Sequence, residues 1–114
     1  MSQFETFNIC CKDGYILSAR FYSHSSSNPK SLPILICPAT GITKQFYNSF
    51  AAWLSEQGYN VLVFDFRGIG DSLHGPLSKS EASIVQWGQL DIPAAIDALL
   101  NKTHAAKVLL LGHS

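Results

Sequence analysis

The sequence is poor in charge. Only 14% of its 114 residues are Asp, Glu, Lys or Arg, and eight basic residues balance eight acidic ones. Without a basic cluster, nothing favours nucleic acid or an anionic membrane as a partner. Long apolar runs are also missing, and no stretch approaches the roughly 20 residues that cross a bilayer. Residues 1–5 (Met-Ser-Gln-Phe-Glu) carry no basic segment leading into an apolar one, so no signal peptide is expected. Cysteine is sparse and odd in number: Cys10, Cys11 and Cys37. Their spacing fits neither a disulfide framework nor a metal site, so no metal is expected. Buried or half-buried thiols in a reducing, cytoplasmic setting are the expectation. No repeat is visible. What remains is one modest domain, residues 1–114, with 46% hydrophobic residues to form its core.

Hydrophobic patterning supplies the elements. Residues 4–11 and 15–22 alternate around Lys12-Asp13-Gly14, which predicts an antiparallel hairpin with Tyr15, Leu17, Ala19 and Phe21 on one face. Residues 24–31 are small and polar, a loop joining elements. Residues 33–37 form a continuous apolar run ending in Pro38-Ala39-Thr40-Gly41, and residues 60–66 form a second. Both read as strands buried on two faces. Between them, residues 43–57 take a helical period, with Tyr47, Phe50, Ala51 and Leu54 inward and Gly58 where a cap belongs.

Ser83-Ile84-Val85-Gln86 fits a capping box. Pro93 is comfortable only in a first helical turn, so a firm helix is expected from Asp91 or Ile92 to Lys102, led in by a kinked segment from Ser83. Ile92, Ala95, Ile96, Leu99 and Leu100 would face inward. Residues 108–111 (Val-Leu-Leu-Leu) are a third buried strand, broken at Gly112-His113-Ser114. Strands alternating with helices imply parallel βαβ units, so the fold class is α/β with an antiparallel start. Ligands bind such sheets beyond the C-terminal strand ends, where residues 38–41, 67–72 and 112–114 would converge.

Several side chains have structural explanations. Asp65 and Arg67 are expected to fix a strand-exit loop. Gly68-Ile69-Gly70 is no dinucleotide fingerprint, since Leu73 stands where a third glycine belongs and no helix opens promptly; no cofactor is expected. Trp53 and Trp87 read as helix-face packing residues. His24, His74, His104 and His113 read as solvated.

Taken together, the hairpin, the strand into Pro38-Ala39-Thr40-Gly41, the Phe46-Tyr47 to Gly58-Tyr59 helix, the string Asp65-Phe66-Arg67-Gly68-Ile69-Gly70-Asp71-Ser72 and the Gly112-His113-Ser114 ending resemble the α/β-hydrolase superfamily. Within it they are most similar to the esterase, lipase and serine-aminopeptidase-like group. The resemblance covers nearly the whole chain. It implies an α/β-hydrolase sheet, truncated: the N-terminal half, ending inside the G-x-S-x-G nucleophile elbow. Ser114 matches the nucleophile. Thr40 sits where the family places an oxyanion-hole backbone N–H, although Pro38-Ala39 replaces the frequent His-Gly.

In that family the acid and the catalytic histidine follow the nucleophile. None of the four histidines here can be named as base. The resemblance thus implies a fragment of a serine hydrolase acting on esters, thioesters or small amides. This chain alone is expected to be inactive, its last strand an exposed apolar edge prone to self-association. The alternative is a non-catalytic fragment or interaction module.

Overall fold

The computed structural model describes residues 4–25, 30, 32–76, 80 and 82–113. Ser114 and part of the polar 24–31 loop lie outside the described residues.

Strands β1 (Glu5–Cys10) and β2 (Ile16–Tyr22) form the expected hairpin, with Ile9 opposite Leu17 and Phe7 opposite Ala19. Asp-Gly drives the turn: Gly14 takes φ +91, a conformation that side-chain-bearing residues avoid, and its N–H donates to Cys11 O. Strand β3 (Ile34–Cys37) pairs in parallel with β4 (Val61–Phe64), while β2 lies antiparallel along the other side of β4. Strand β5 (Leu109–Gly112) pairs in parallel with β3, and the sheet order is β1-β2-β4-β3-β5.

The two-residue period explains why the central strands read as unbroken apolar runs. Leu35, Leu62 and Phe64 pack on one face with Leu17 and Ala19. Ile34, Ile36, Val61 and Val63 pack on the other with Tyr22. Each face carries a helix, so both sets must be apolar. Fully burying one such side chain contributes about 2 kcal/mol.

Helix α1 (Asn48–Glu56) covers the second face through Ala51 and Leu54, entered by a 3-10 turn over Lys44–Tyr47. It ends as its sequence dictates. Gly58 at φ +105 donates to Ser55 O and Tyr59 donates to Leu54 O, the two bonds of a Schellman cap, with Tyr59 and Leu54 in the same cluster. Phe50 and Trp53 depart from expectation. They are 43% and 53% exposed and stack on each other, because α1 presents only a narrow stripe to the sheet and β5 ends the sheet beside its flank.

On the opposite face, Ser83 and Gln86 make the expected capping box at the start of α2 (Ile84–Gln86). A π-turn over Trp87–Asp91 then leads into α3 (Ile92–Thr103). The wider turn is how the chain passes Pro93 without a break: Ile92 N–H reaches back to Trp87 O, where an α-helix would bond one residue nearer. Ala95 and Leu99 are fully buried, while Ile92, Ile96 and Leu100 are half-buried. Trp87 packs as expected, stacked on Phe66 with centroids 4.7 Å apart.

The run at 108–111 has the sequence of an interior strand, which this chain taken alone is expected to leave as an exposed edge. Among the described residues β5 is that edge, with Leu109, Leu110 and Leu111 at 42%, 56% and 40% exposure. Among the described residues no helix is long and apolar enough to cross a membrane.

Candidate active site

The C-terminal ends of β3, β4 and β5 bring three loops to one rim, at residues 38–43, 65–72 and 112–113. The loop after β4 is held by two buried charge clusters built from the residues that sequence assigns to loop fixing.

In the first cluster, Asp65 is fully buried and its carboxylate accepts three hydrogen bonds. Oδ1 takes the Lys44 backbone N–H at 2.7 Å, and Oδ2 takes Lys44 Nζ at 2.8 Å and Asp71 N–H at 3.0 Å. A fourth bond goes to its main chain, where Ser72 Oγ donates to Asp65 O at 2.7 Å. Lys44, only 1% exposed, also reaches Asp71 Oδ2 at 2.7 Å, and this bond holds the Asp71 carboxyl below its usual range. Gly70 explains itself here. A Cβ at that position would stand 2.7 Å from Asp65 Oδ2, and φ is +52. The second glycine of Gly68-Ile69-Gly70 thus makes room for a carboxylate of this chain. Lys44 was missed by sequence reasoning, although its position one turn before Tyr47 on the inward stripe of the helix was the available signal.

In the second cluster, Arg67 is 2% exposed. Its Nε donates to Asp91 Oδ1 at 2.7 Å, its backbone N–H to Asp91 Oδ2 at 2.8 Å, and its two terminal nitrogens to Asp13 at 2.7 and 3.1 Å. One guanidinium therefore joins the hairpin turn, the exit loop and the π-turn, a fork only arginine supplies. The bonds to Asp13 and Asp91 raise the arginine's pKa, and the same contact holds the Asp13 carboxyl down at about 2. Such pairs fix geometry more than they add net stability, since desolvation offsets much of their attraction. Burial pushes the Cys11 and Cys37 thiols up to about 11, while Cys10, the last residue of β1, is exposed.

Thr40 lies at the tip of the loop after β3. It is exposed, in a turn closed by Ile42 N–H donating to Ala39 O at 3.0 Å, with Gly41 at φ +79. Among the described residues no backbone carbonyl accepts from the Thr40 N–H.

His113 is exposed, as expected, and it is also hydrogen-bonded. Its backbone N–H donates to Cys37 O at 3.2 Å, extending the β3–β5 ladder. Its Nδ1 lies 2.8 Å from the Tyr47 hydroxyl, and its ring is parallel to that of Phe46. The same Tyr47 oxygen accepts from Ala39 N–H at 2.8 Å. His74 is also engaged, with Nε2 2.7 Å from Ile16 O and its ring against Tyr15. Beside His113, residues Ile36, Phe46, Phe50 and Leu111 line an open apolar groove of about 340 Å³. The structure therefore joins the Thr40 loop to the residue preceding Ser114, and Ser114 itself lies outside the described residues. No group of three or more His, Cys, Asp or Glu among the described residues could hold a metal.

Comparison with known proteins gives this architecture a family. Mouse gastric triacylglycerol lipase is 29% identical over 126 aligned positions, covering 96% of this chain and 32% of the lipase. DcsB, whose structure was determined in complex with its substrate analogue, superposes with a TM-score of 0.80 at 25% identity, over 98% of this chain and 37% of DcsB. An esterase from Pyrococcus furiosus shares the fold with a TM-score of 0.74 at 20% identity, over 97% of this chain and 42% of the esterase. The chain thus spans 32% of the length of the curated lipase it matches. The profile of the serine aminopeptidase (S33) hydrolases matches residues 27–114, and with the strand order and rim described above it identifies the chain as a member of that α/β-hydrolase family.

Proposed function

We propose that this chain supplies the nucleophile side of a serine hydrolase, with Ser114 attacking the carbonyl of an ester, thioester or small amide to form an acyl-enzyme. The Thr40 backbone N–H would donate to the oxyanion that develops. A donor of this kind contributes about 3 kcal/mol in comparable acyl transfers. The observation that supports the reading most is the convergence of loops: the residue before Ser114 and the residue before Thr40 hydrogen-bond to one hydroxyl, that of Tyr47. The turn of the proposed nucleophile and the proposed oxyanion donor thereby belong to one rim. Ester substrates are the first choice because the relatives include a triacylglycerol lipase.

The general base and its acid partner would come from the rest of the whole protein, since His113 and His74 are committed to Tyr47 and to Ile16 O. By itself the 114-residue chain would be inactive and self-associating, through the leucine edge of β5. A cytoplasmic setting belongs to the same proposal, supported by three free cysteines.

The test is labelling with a fluorophosphonate and turnover of p-nitrophenyl acetate. The whole protein is expected to react at Ser114 and to lose both signals as Ser114→Ala, while the 114-residue chain shows neither. Labelling that survives Ser114→Ala would remove the assignment, and Ser114 labelling of the short chain would overturn its inactivity.

A further inference from the structure

We infer that Tyr47 is a positioning residue of this site: its hydroxyl ties the loop that carries Thr40 to the turn that carries Ser114, and it sets the protonation pattern of His113. The inference rests on the hydrolase reading above and adds to it a residue that nothing in the Ser114 and Thr40 assignment requires.

Tyr47 closes the 3-10 turn that enters α1 and is 6% exposed, so its ring is held by the core. Its oxygen accepts the Ala39 N–H at 2.8 Å and lies 2.8 Å from His113 Nδ1. A phenol has one proton to give. Among the described residues Nδ1 is the acceptor within reach of that proton, the oxygen's other contact being the Ala39 donor, so the proton goes to Nδ1 and the imidazole carries its own on Nε2. The rings of Tyr47 and His113 meet edge to face at 85°, and Phe46 lies parallel to the imidazole at 8°, so the histidine is held by three contacts of different kinds.

The effect of the bridge falls on the next residue of each segment. Ala39 immediately precedes Thr40 and His113 immediately precedes Ser114. Consecutive Cα atoms are fixed at about 3.8 Å, so anchoring the preceding residue restricts where the next can stand. The loop needs such an anchor, because Thr40 is exposed and Gly41 sits at φ +79. Lys44 holds the far end of the same loop on Asp65, and Tyr47 holds the near end on the elbow. An oxyanion donor acts only when its N–H points where the charge develops, so the bridge governs the transition state more than the ground state.

Three measurements on the whole protein test this. With p-nitrophenyl acetate, Tyr47→Phe is expected to lower kcat by about tenfold or more while KM stays within about twofold, since a misplacement of ~1 Å costs on the order of 10²-fold. His113→Asn, which keeps an acceptor near the Nδ1 position, should retain most of the activity; His113→Leu should lose as much as Tyr47→Phe, and the double variant no more than either. In the unsubstituted protein, ¹⁵N NMR should find His113 protonated on Nε2 and bare on Nδ1, a readout that does not depend on any variant folding. A KM effect with kcat unchanged, additive losses, or a proton on Nδ1 in the neutral ring would overturn the inference while leaving Ser114-dependent turnover intact. Absence of Ser114-dependent turnover in the unsubstituted protein would instead bring down the hydrolase reading, and this inference with it.

Discussion

Replacing Leu110 by lysine is expected to keep the 114-residue chain monomeric at concentrations where the unsubstituted chain associates. Among the described residues nothing pairs with the outer side of strand β5, where Leu109, Leu110 and Leu111 are roughly half exposed. Fully burying a leucine is worth about 1.5–3 kcal/mol, so covering the exposed half of each contributes about 1 kcal/mol, or about 3 per chain. Phe46, Phe50 and Trp53, at 66%, 43% and 53% exposure on the neighbouring flank, add about 4 more on the same scale. Two copies meeting about a two-fold axis would gain about 14 kcal/mol in gross terms, against an association cost of about 8 within a wide range. The remaining ~6 kcal/mol corresponds to a Kd of tens of micromolar.

Leu110 is the most exposed of the three leucines, so its replacement costs the monomer least. It lies on the α3 face, opposite Leu35, and a two-fold pair loses its contribution twice. That loss of about 2 kcal/mol weakens association about thirtyfold, before any repulsion between the lysines. Sedimentation velocity across a concentration series measures this directly, with Ala106→Lys as a control of equal charge change at an exposed loop position. Monomeric behaviour of the unsubstituted chain up to about 200 µM would refute the reasoning, because that lies well above the Kd worked out here. Equal association of the Leu110→Lys and Ala106→Lys chains would place the interface elsewhere.

The remaining predictions concern the rim and the core, and the stability measurements suit the Leu110→Lys background. Gly70→Ala, whose Cβ would meet Asp65 Oδ2 at 2.7 Å, should cost about 3 kcal/mol in urea unfolding. Gly75→Ala, at φ +95 in open space, should cost about 1.5 kcal/mol from backbone strain alone; equal losses would mean the Asp65 cluster yields freely. The Asp13 carboxyl sits at about 2 against 3.8 in the unfolded chain, so its stabilisation is present above 3.8 and lost as pH falls toward 2. Asp13→Asn should therefore flatten the acid limb of stability in that window, and an unchanged slope would contradict the Arg67 contact. Iodoacetamide at about pH 8 should modify Cys10 alone in the native chain, since burial keeps the Cys11 and Cys37 thiols protonated past the ordinary thiol range. A second native-state adduct would show that one of those two sites is open.

Much of the fold was legible because local rules and global fold agree. The Asp13-Gly14 turn, the Ser83–Gln86 capping box and the Gly58 cap each appear as the residue types require. The continuous apolar runs at β3 and β4 told of cover on both faces, and the parallel pairing of β3 with β4 and β5 agrees. Phe50 and Trp53 were misjudged because a helical period gives the direction of an apolar stripe, not the width of the surface waiting for it. Leu109 to Leu111 carry the residue types of an interior strand, and among the described residues they stand at the exposed edge expected of this chain taken alone.

The division at the site follows from sequence distance. Sequence alone marked the Asp65-to-Ser72 string, the Thr40 loop and the Gly112-His113-Ser114 ending, because each is contiguous and its residue types carry the signal. It could not show that Lys44 enters the Asp65 cluster across 21 positions, that Arg67 gathers Asp13 and Asp91 from opposite ends of the chain, or that Tyr47 and His113 meet across 66. Those contacts exist because parallel strands bring the ends of distant segments to one rim, and the partners of a buried charge are chosen there by space and not by spacing along the chain.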